Sequence, residues 1–223
     1  CQELIDFVIN CAKADGDDVF RKRVTPHASD IGDMLTPRPQ RITLGEGHFP
    51  IASNPWPVAL PGGSDHEACR TVVTAAMQQA GATITEGVSE GNMFVIGQRV
   101  QLPDLPSEGH AEEAYVLRIA PTGVTVLGAS PAGTLYAAQT LRQLLRIFSQ
   151  RGELPCLTIV DFPTFRLRGI YIEGGQERFG RIVAKDYLLE QIRRLAEFKM
   201  NTLVLECYNL LPYASFPGCR DEG

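Results

Sequence analysis

The sequence predicts an α+β domain, an antiparallel-rich sheet with two helices, followed by a βαβ unit. Three observations predict it. A hairpin pattern over residues 115–127 runs directly into a capped amphipathic helix. A second helical pattern lies upstream, among loop-rich segments. The last third then changes period: the apolar runs RGIYIE and TLVLE flank one helical pattern, the order of elements that pairs two strands in parallel.

The elements follow in order. In residues 2–13, Leu4, Val8, Cys11 and Ala12 hold the i, i+4, i+7, i+8 spacing of a short amphipathic helix. Residues 14–40 are polar and proline-containing and read as loop, so 1–40 form an N-terminal helix and loop segment. QRITLGEGHFPIA alternates as a strand or bent hairpin, and NPWPVALPGGSD reads as loop from its prolines and glycines. Ser64 or Asp65 caps a helix over 65–80 that places Cys69, Val72, Val73 and Ala76 on one side and stops at Gly81. ATITEG and NMFVIG are strand-like, and the acidic LPDLPSEGHAEE is a surface loop.

The hairpin pairs 115–119 with 124–127 around Pro121-Thr122-Gly123. Ser130 at the cap and Pro131 at the first position open the next helix. Leu135, Ala138, Leu141, Leu145 and Phe148 line its apolar face, and Arg151-Gly152 ends it. Residues 41–160 thus form one domain with a core of its own. Residues 161–223 hold the βαβ unit. Its strand RGIYIE has the apolar run of a buried parallel strand. Asp186 caps its helix, Leu188, Ile192, Leu195 and Ala196 share a face, Lys199 sits in the last turn, and Asn201 lies just beyond.

Composition narrows the function. The chain has 223 residues, 44% hydrophobic and 21% charged, which is ordinary globular usage. Its net charge is -5 and its pI near 5.4, without a basic block, so charge argues against a nucleic-acid partner. The apolar runs fall far short of the roughly 20 residues that span a bilayer, so no transmembrane helix or membrane partner is expected. Cys1 rather than Met opens the chain. That reads as a boundary or trimmed terminus, and a missing leader therefore says nothing of export.

Cys1, Cys11, Cys69, Cys156, Cys207 and Cys219 are scattered. They read as small buried apolar residues or free thiols, with a Cys207–Cys219 loop disulfide left open. His27, His48, His66 and His110 lack metal-ligand spacing, and no metal or cofactor is expected. Gly174, Gly175 and Gly180 lack the G-x-G-x-x-G spacing of a dinucleotide site.

Polar residues instead gather where the two parallel strands end. Glu173 closes the first and is followed by Gln176 and Arg178; Glu206 closes the second and is followed by Tyr208. In a barrel the C-terminal strand ends face the active site. Carboxylates and an arginine there bond sugar hydroxyls, and a tyrosine offers a stacking face. Glu173, Gln176, Arg178, Glu206 and Tyr208 are the candidate substrate-binding residues. The plainer alternative pairs Glu173 with Arg178 and leaves Glu206 solvated.

Three stretches carry a resemblance: G-x-x-Y-x-x-Q-T-L-x-Q-L-L from Gly133, D-x-P-x-F-x-x-R-G from Asp161 to Gly169, and K-x-N at Lys199 and Asn201 before an apolar strand. Over residues 41–215 the chain resembles the family 20 glycoside hydrolases, the β-N-acetylhexosaminidases, with some likeness to family 84. The resemblance implies that 41–160 is an accessory domain and that 161–223 begins a (β/α)8 TIM barrel. Arg168-Gly169 would open barrel strand one and 202–206 would be strand two.

Family 20 members carry an Asp at the end of strand one with a substrate-binding Arg three residues on; here Glu173 and Gln176 hold those places. Family 84 members carry an E-G pair, matching Glu173-Gly174. Strand two of family 20 ends in a His-rich segment, and here it reads ECYN. The implied chemistry is retaining hydrolysis assisted by the substrate's own acetamide, for which the usual two-carboxylate scheme does not hold.

The catalytic Asp-Glu pair is expected on strand four, beyond residue 223, so no residue here takes a catalytic role. A carbohydrate is the implied substrate of the longer protein. The resemblance favours the periplasm or the cell exterior. The 223-residue piece is expected to be inactive alone and to self-associate through exposed barrel strands. The alternatives are a non-catalytic carbohydrate-binding or interaction module and, resting on the βαβ unit alone, a nucleotide-binding protein.

Overall fold

A computed structural model describes residues 31–51, 56–59, 67–82, 84–86, 93–96, 111–173, 175–176, 181–182 and 185–206. The chain divides into two units, Cys1–Ile31 and Gly32–Gly223, and the architecture below is that of the second. The helix expected over 2–13 lies outside the described residues. A helical turn at Ile31–Met34 stands where the sequence reads as loop.

Seven strands form one sheet: β1 (Arg41–Pro50), β2 (Trp56–Ala59), β3 (Ile84–Glu86), β4 (Met93–Ile96), β5 (Tyr115–Ala120), β6 (Gly123–Gly128) and β7 (Glu153–Asp161). Their order is β1-β7-β5-β6-β4-β2-β3. β1, β7, β5 and β6 pair antiparallel, whereas β6, β4, β2 and β3 pair parallel. The sheet is therefore mixed, with its long ladders antiparallel. β1 is one strand with a bulge between Leu44 and His48, opposite β7.

β2 corrects the reading of NPWPVALPGGSD as loop. Pro57 removes an N–H, which ordinarily bars a central strand. Here the ladder to β4 begins only at Val58, so Pro57 pairs on the β3 side alone. Trp56 holds the strand in place. It is buried, it packs on Phe49 with ring centroids 4.2 Å apart, and its Nε1 donates to the Ile51 carbonyl at 2.9 Å.

The hairpin forms as its alternation dictates. Tyr115, Leu117 and Ile119 on β5 and Val124 and Val126 on β6 are buried, and the residues between them face outward. The turn is tighter than expected, since Ala120 pairs with Gly123 and leaves Pro121-Thr122 as the loop. α1 (Glu67–Gln79) packs on α2 (Pro131–Phe148), and α2 packs on β5 and β6. In α1 the buried set is Cys69, Val73, Ala76 and Met77; Val72 is only half-buried, because the face is turned toward Met77. Burial pushes the Cys69 thiol up to about 12, so this cysteine is an inert core residue. Cys156 is likewise free and buried.

α2 begins as predicted, with the Ser130 hydroxyl accepting from Gly133 N at 3.3 Å. It is buried on more than the single face expected. Thr134, Tyr136, Ala137, Gln139, Thr140 and Leu144 join Ala138, Leu141, Leu145 and Phe148, since the helix lies between α1 and the sheet. Gly133 is required here: a Cβ would sit 2.3 Å from the Ala114 carbonyl oxygen. Gly152, at φ +72, ends the segment in the left-handed conformation.

β8 (Gly169–Glu173) and β11 (Thr202–Glu206) pair in parallel, joined through α3 (Lys185–Glu197). Between them β9 (Gly175–Gln176) and β10 (Arg181–Ile182) make a short antiparallel ladder. Gly169 lets β11 approach, because a Cβ there would meet the Thr202 carbonyl oxygen at 2.0 Å. The β8 run, read as a buried strand, is not buried: Tyr171 is exposed, as are Val204 and Leu205 on its partner β11. Asp186 lies inside the first turn of α3 rather than at its cap. Lys199 lies beyond the last turn. Met200 N bonds the Leu195 carbonyl at 2.9 Å and Lys199 N the Ala196 carbonyl at 3.1 Å. This is the double bond pattern of a Schellman end, with Lys199 at the left-handed position, φ +58.

Candidate functional site

The structure presents two polar places, one at each end of the β8–β11 pair. At the C-terminal end the sequence-derived candidates meet in part. Glu173 and Glu206 are the last residues of adjacent parallel strands and are backbone partners in register. Gln176 lies three residues on, paired with Arg181. Glu206 is half-buried. Arg178 and Tyr208 lie outside the described residues, as does the candidate pair Cys207 and Cys219. The backbone thus brings together two of the five candidates and places a third nearby.

The N-terminal end, one strand length away (about 13 Å for four steps), carries a denser cluster that sequence reasoning did not assemble. Asp161 ends β7 opposite Tyr115, which opens β5. Asp161 Oδ1 accepts from Gln40 N at 3.1 Å; Oδ2 accepts from the Tyr115 hydroxyl at 2.8 Å and from Lys199 Nζ at 3.0 Å. Lys199 Nζ also donates to the Tyr115 oxygen at 2.7 Å, and Thr140 Oγ1 lies 2.6 Å from that oxygen.

Beside this group Arg168 is fully engaged. Its Nε donates to the Lys199 carbonyl at 2.9 Å, Nη1 to the Phe165 carbonyl at 2.7 Å and Nη2 to the Tyr136 hydroxyl at 3.3 Å. Nη2 also lies 2.8 Å from Glu113 Oε2, an ion pair whose angle does not make it a hydrogen bond. Asn201 Nδ2 donates to Glu113 Oε1 and to the Arg166 carbonyl, and its Oδ1 accepts from Arg168 N. A cleft of about 190 Å³ opens here, lined by Pro37, Gln40, Tyr136, Phe162 and Phe165 together with the cluster.

Burial sets the electrostatics. Desolvation pulls the Lys199 ammonium below its ordinary value; Asp161 draws it back up, and Arg168 opposes. Desolvation, then the Asp161 charge, holds the Tyr115 hydroxyl well above its ordinary value of 10, against the Thr140 hydrogen bond. Desolvation and Glu113 raise Tyr136, against Arg168. Both Asp161 oxygens and all three Arg168 nitrogens are bonded within the protein. Such a cluster holds parts together rather than offering a group for reaction.

All three sequence motifs end in this cluster. Tyr136 and Thr140 come from the α2 motif, Asp161 and Arg168 from D-x-P-x-F-x-x-R-G, and Lys199 and Asn201 from K-x-N. The signal available in the sequence was one carboxylate and several cations fixed at the boundaries of elements. Among the described residues no group of three or more His, Cys, Asp or Glu gathers as a metal site, and no helix is long and apolar enough to cross a membrane.

The family model for glycosyl hydrolase family 20, domain 2, matches residues 34–162. The chain is 27% identical over 188 residues to β-hexosaminidase B of Pseudoalteromonas piscicida, a match spanning 84% of this chain and 22% of that protein. The β-N-acetylhexosaminidase of Bacteroides fragilis superposes with a TM-score of 0.60 at 21% identity, covering 78% of this chain and 33% of its own. CpGH84D, from family 84, superposes with a TM-score of 0.60 at 21% identity, covering 77% of this chain and 30% of its own. The chain therefore spans between a fifth and a third of the length of these relatives.

Proposed function

The chain belongs to glycosyl hydrolase family 20, and from that premise we propose that it is the front of an exo-acting β-N-acetylhexosaminidase. Residues 41–160 form the accessory domain in this reading, and 161–223 the first βαβ unit of a TIM barrel. The longer protein removes terminal β-linked N-acetylhexosamine by retaining hydrolysis in which the substrate acetamide attacks. Its catalytic Asp-Glu pair lies past residue 223, and the 223-residue chain alone is inactive. Glu173, Gln176, Arg178, Glu206 and Tyr208 border the sugar site.

One observation carries this reading: the family-matched domain leads into two parallel strands whose last residues, Glu173 and Glu206, stand in register. Parallel barrel strands collect their binding groups at that end. Tyr171, Val204 and Leu205 on those strands, with Ile192 on α3, are exposed in this chain. Further barrel elements would cover them, and without those elements copies of the chain associate through them.

The test is cleavage of a chromogenic N-acetyl-β-glucosaminide by the 223-residue chain and by a chain extended through eight barrel strands. Turnover by the long chain alone is the expected result. Turnover by the short chain overturns the proposal. Sugar binding without turnover by the long chain replaces it with the non-catalytic module.

A further inference from the structure

The β8–α3–β11 unit is attached to the sheet domain by charge more than by apolar burial. Leu195 is the buried side chain of α3 among the described residues, while Leu189, Ile192 and Phe198 stay exposed. A set of hydrogen bonds and ion pairs crosses to the sheet domain. Lys199 reaches Asp161 and Tyr115; Arg168 reaches Glu113 and Tyr136; Asn201 reaches Glu113; Arg142 and Gln143 of α2 reach Glu197. Among these, Lys199 and Asp161 are the most deeply buried ion pair, with side chains 7% and 10% exposed.

Lys199 is also in a conformation that suits it poorly. At φ +58 it occupies the helix-end position where glycine is favoured. A lysine kept there despite its backbone is explained by what its ammonium does. It must meet two acceptors, at 2.7 and 3.0 Å, that belong to the first residue of β5 and the last of β7. Apolar faces tolerate sliding, but a shifted ammonium leaves a buried carboxylate unpaired, which is costly.

We propose that Lys199, Asp161 and Tyr115 are positioning residues that pin the β8–α3–β11 unit to the paired ends of β5 and β7. The pin sets where β8 and β11 run, and so where Glu173 and Glu206 stand at their far ends. Its first half needs no assumption about function. Its second half rests on the reading that those carboxylates border a sugar site.

The test is amide hydrogen exchange across the 223-residue chain, comparing wild type with Lys199→Gly, Lys199→Met, Asp161→Asn and the double variant Lys199→Met/Asp161→Asn. Lys199→Gly relieves the backbone yet is expected to speed exchange in β8, α3 and β11 on the order of a hundredfold, with β5, β6 and α2 moving by less than about threefold. Asp161→Asn keeps the shape, removes the charge and opens the same segments. The double variant is expected to open less than the two single changes multiplied together, since neither charge is left unpaired.

Unchanged or slower exchange in Lys199→Gly overturns the proposal, as a residue chosen only for its helix-end conformation would behave so. Equal loss of protection in both regions also overturns it, for the pair would then belong to the common core. Neither outcome depends on sugar cleavage, so an inactive longer chain and a failed pin are told apart.

Discussion

The seven-stranded domain and the β8–α3–β11 unit are built from similar apolar patterns and use them differently. In the first, α2 buries eleven residues between Gly133 and Phe148 against α1 and the sheet, and the alternate residues of β5 and β6 are fully covered. In the second, Tyr171, Ile192, Val204 and Leu205 keep the pattern and remain exposed. The sheet domain is held by packing, which is worth about 1.5–3 kcal/mol for each large side chain fully covered. The smaller unit is held by a handful of directed polar contacts at one end. An apolar pattern therefore states which face a segment offers, not whether this length of chain covers it.

The largest way to test that contrast is Leu141→Ala. Leu141 is fully buried in α2, and truncation is expected to cost about 2–5 kcal/mol in denaturant unfolding. A cost under about 1 kcal/mol would mean that α2 is not the keystone of that core. Next is Gly169→Ala. The added Cβ would lie 2.0 Å from the Thr202 carbonyl oxygen, so β8 and β11 must part. The expected outcome is loss of exchange protection over 169–173 and 202–206, with the β5–β7 ladder intact. Gly81→Ala is the control, since open space surrounds that residue and only its φ of +81 is strained.

Much of the fold was legible because its signals are local. The 115–127 alternation, the Ser130-Pro131 start and the strand–helix–strand period each lie within one segment, and each element formed, the hairpin with a tighter turn and the parallel pair exposed rather than buried. The single apolar face assigned to α2 fell short because periodicity assumes one covered side, whereas Thr134, Gln139 and Thr140 are buried on others. β2 was missed because Pro57 argues against a strand until one sees that its missing N–H is not needed by β4. At the strand ends, Glu173 and Glu206 could be placed together because parallel pairing follows from the order of elements. The Asp161–Lys199 pair could not. Its members lie 38 positions apart, and each is locally unremarkable: an acid before a proline turn, a lysine after a helix. Only the fold supplies the burial that turns those charges into a joint.

Alkaline titration probes the joint more gently. Tyr115 is held well above 10 in the folded protein and titrates near 10 when unfolded. The folded chain therefore holds more protons above pH 10. The stability this group contributes is whole below that pH and is lost as pH rises through the folded value, by at most about 1.4 kcal/mol per pH unit. Tyr136, also raised, acts in the same sense. Lys199 opposes them: its ammonium is lowered from 10.5, so between its folded value and 10.5 the unfolded chain holds more protons and stability rises. Two hydroxyls, Tyr115 and Tyr136, act against the one ammonium and are expected to win. Thermal stability should then fall above pH 10, and Tyr115→Phe should flatten the fall while lowering stability at neutral pH. An equally steep fall in Tyr115→Phe would move the effect away from this cluster.

The smallest expected effect is the most pointed. Ile192 is 48% exposed on α3, although its spacing with Leu188 and Leu195 marks it as core. Ile192→Ser should change unfolding free energy by less than about 0.5 kcal/mol, against several for Leu141→Ala. In sedimentation velocity the same change should weaken concentration-dependent association of the chain, because it removes apolar surface that only another copy can cover here. Placed in a chain extended through the barrel, Ile192→Ser should instead cost about 2–4 kcal/mol, the loss for a large aliphatic residue in a closed core. That reversal, from nearly silent to costly as the chain lengthens, would identify the exposed face of α3 as a barrel surface awaiting its neighbours. A cost that stays small in both lengths would show that α3 packs elsewhere, and the barrel reading of 161–223 would fall with it.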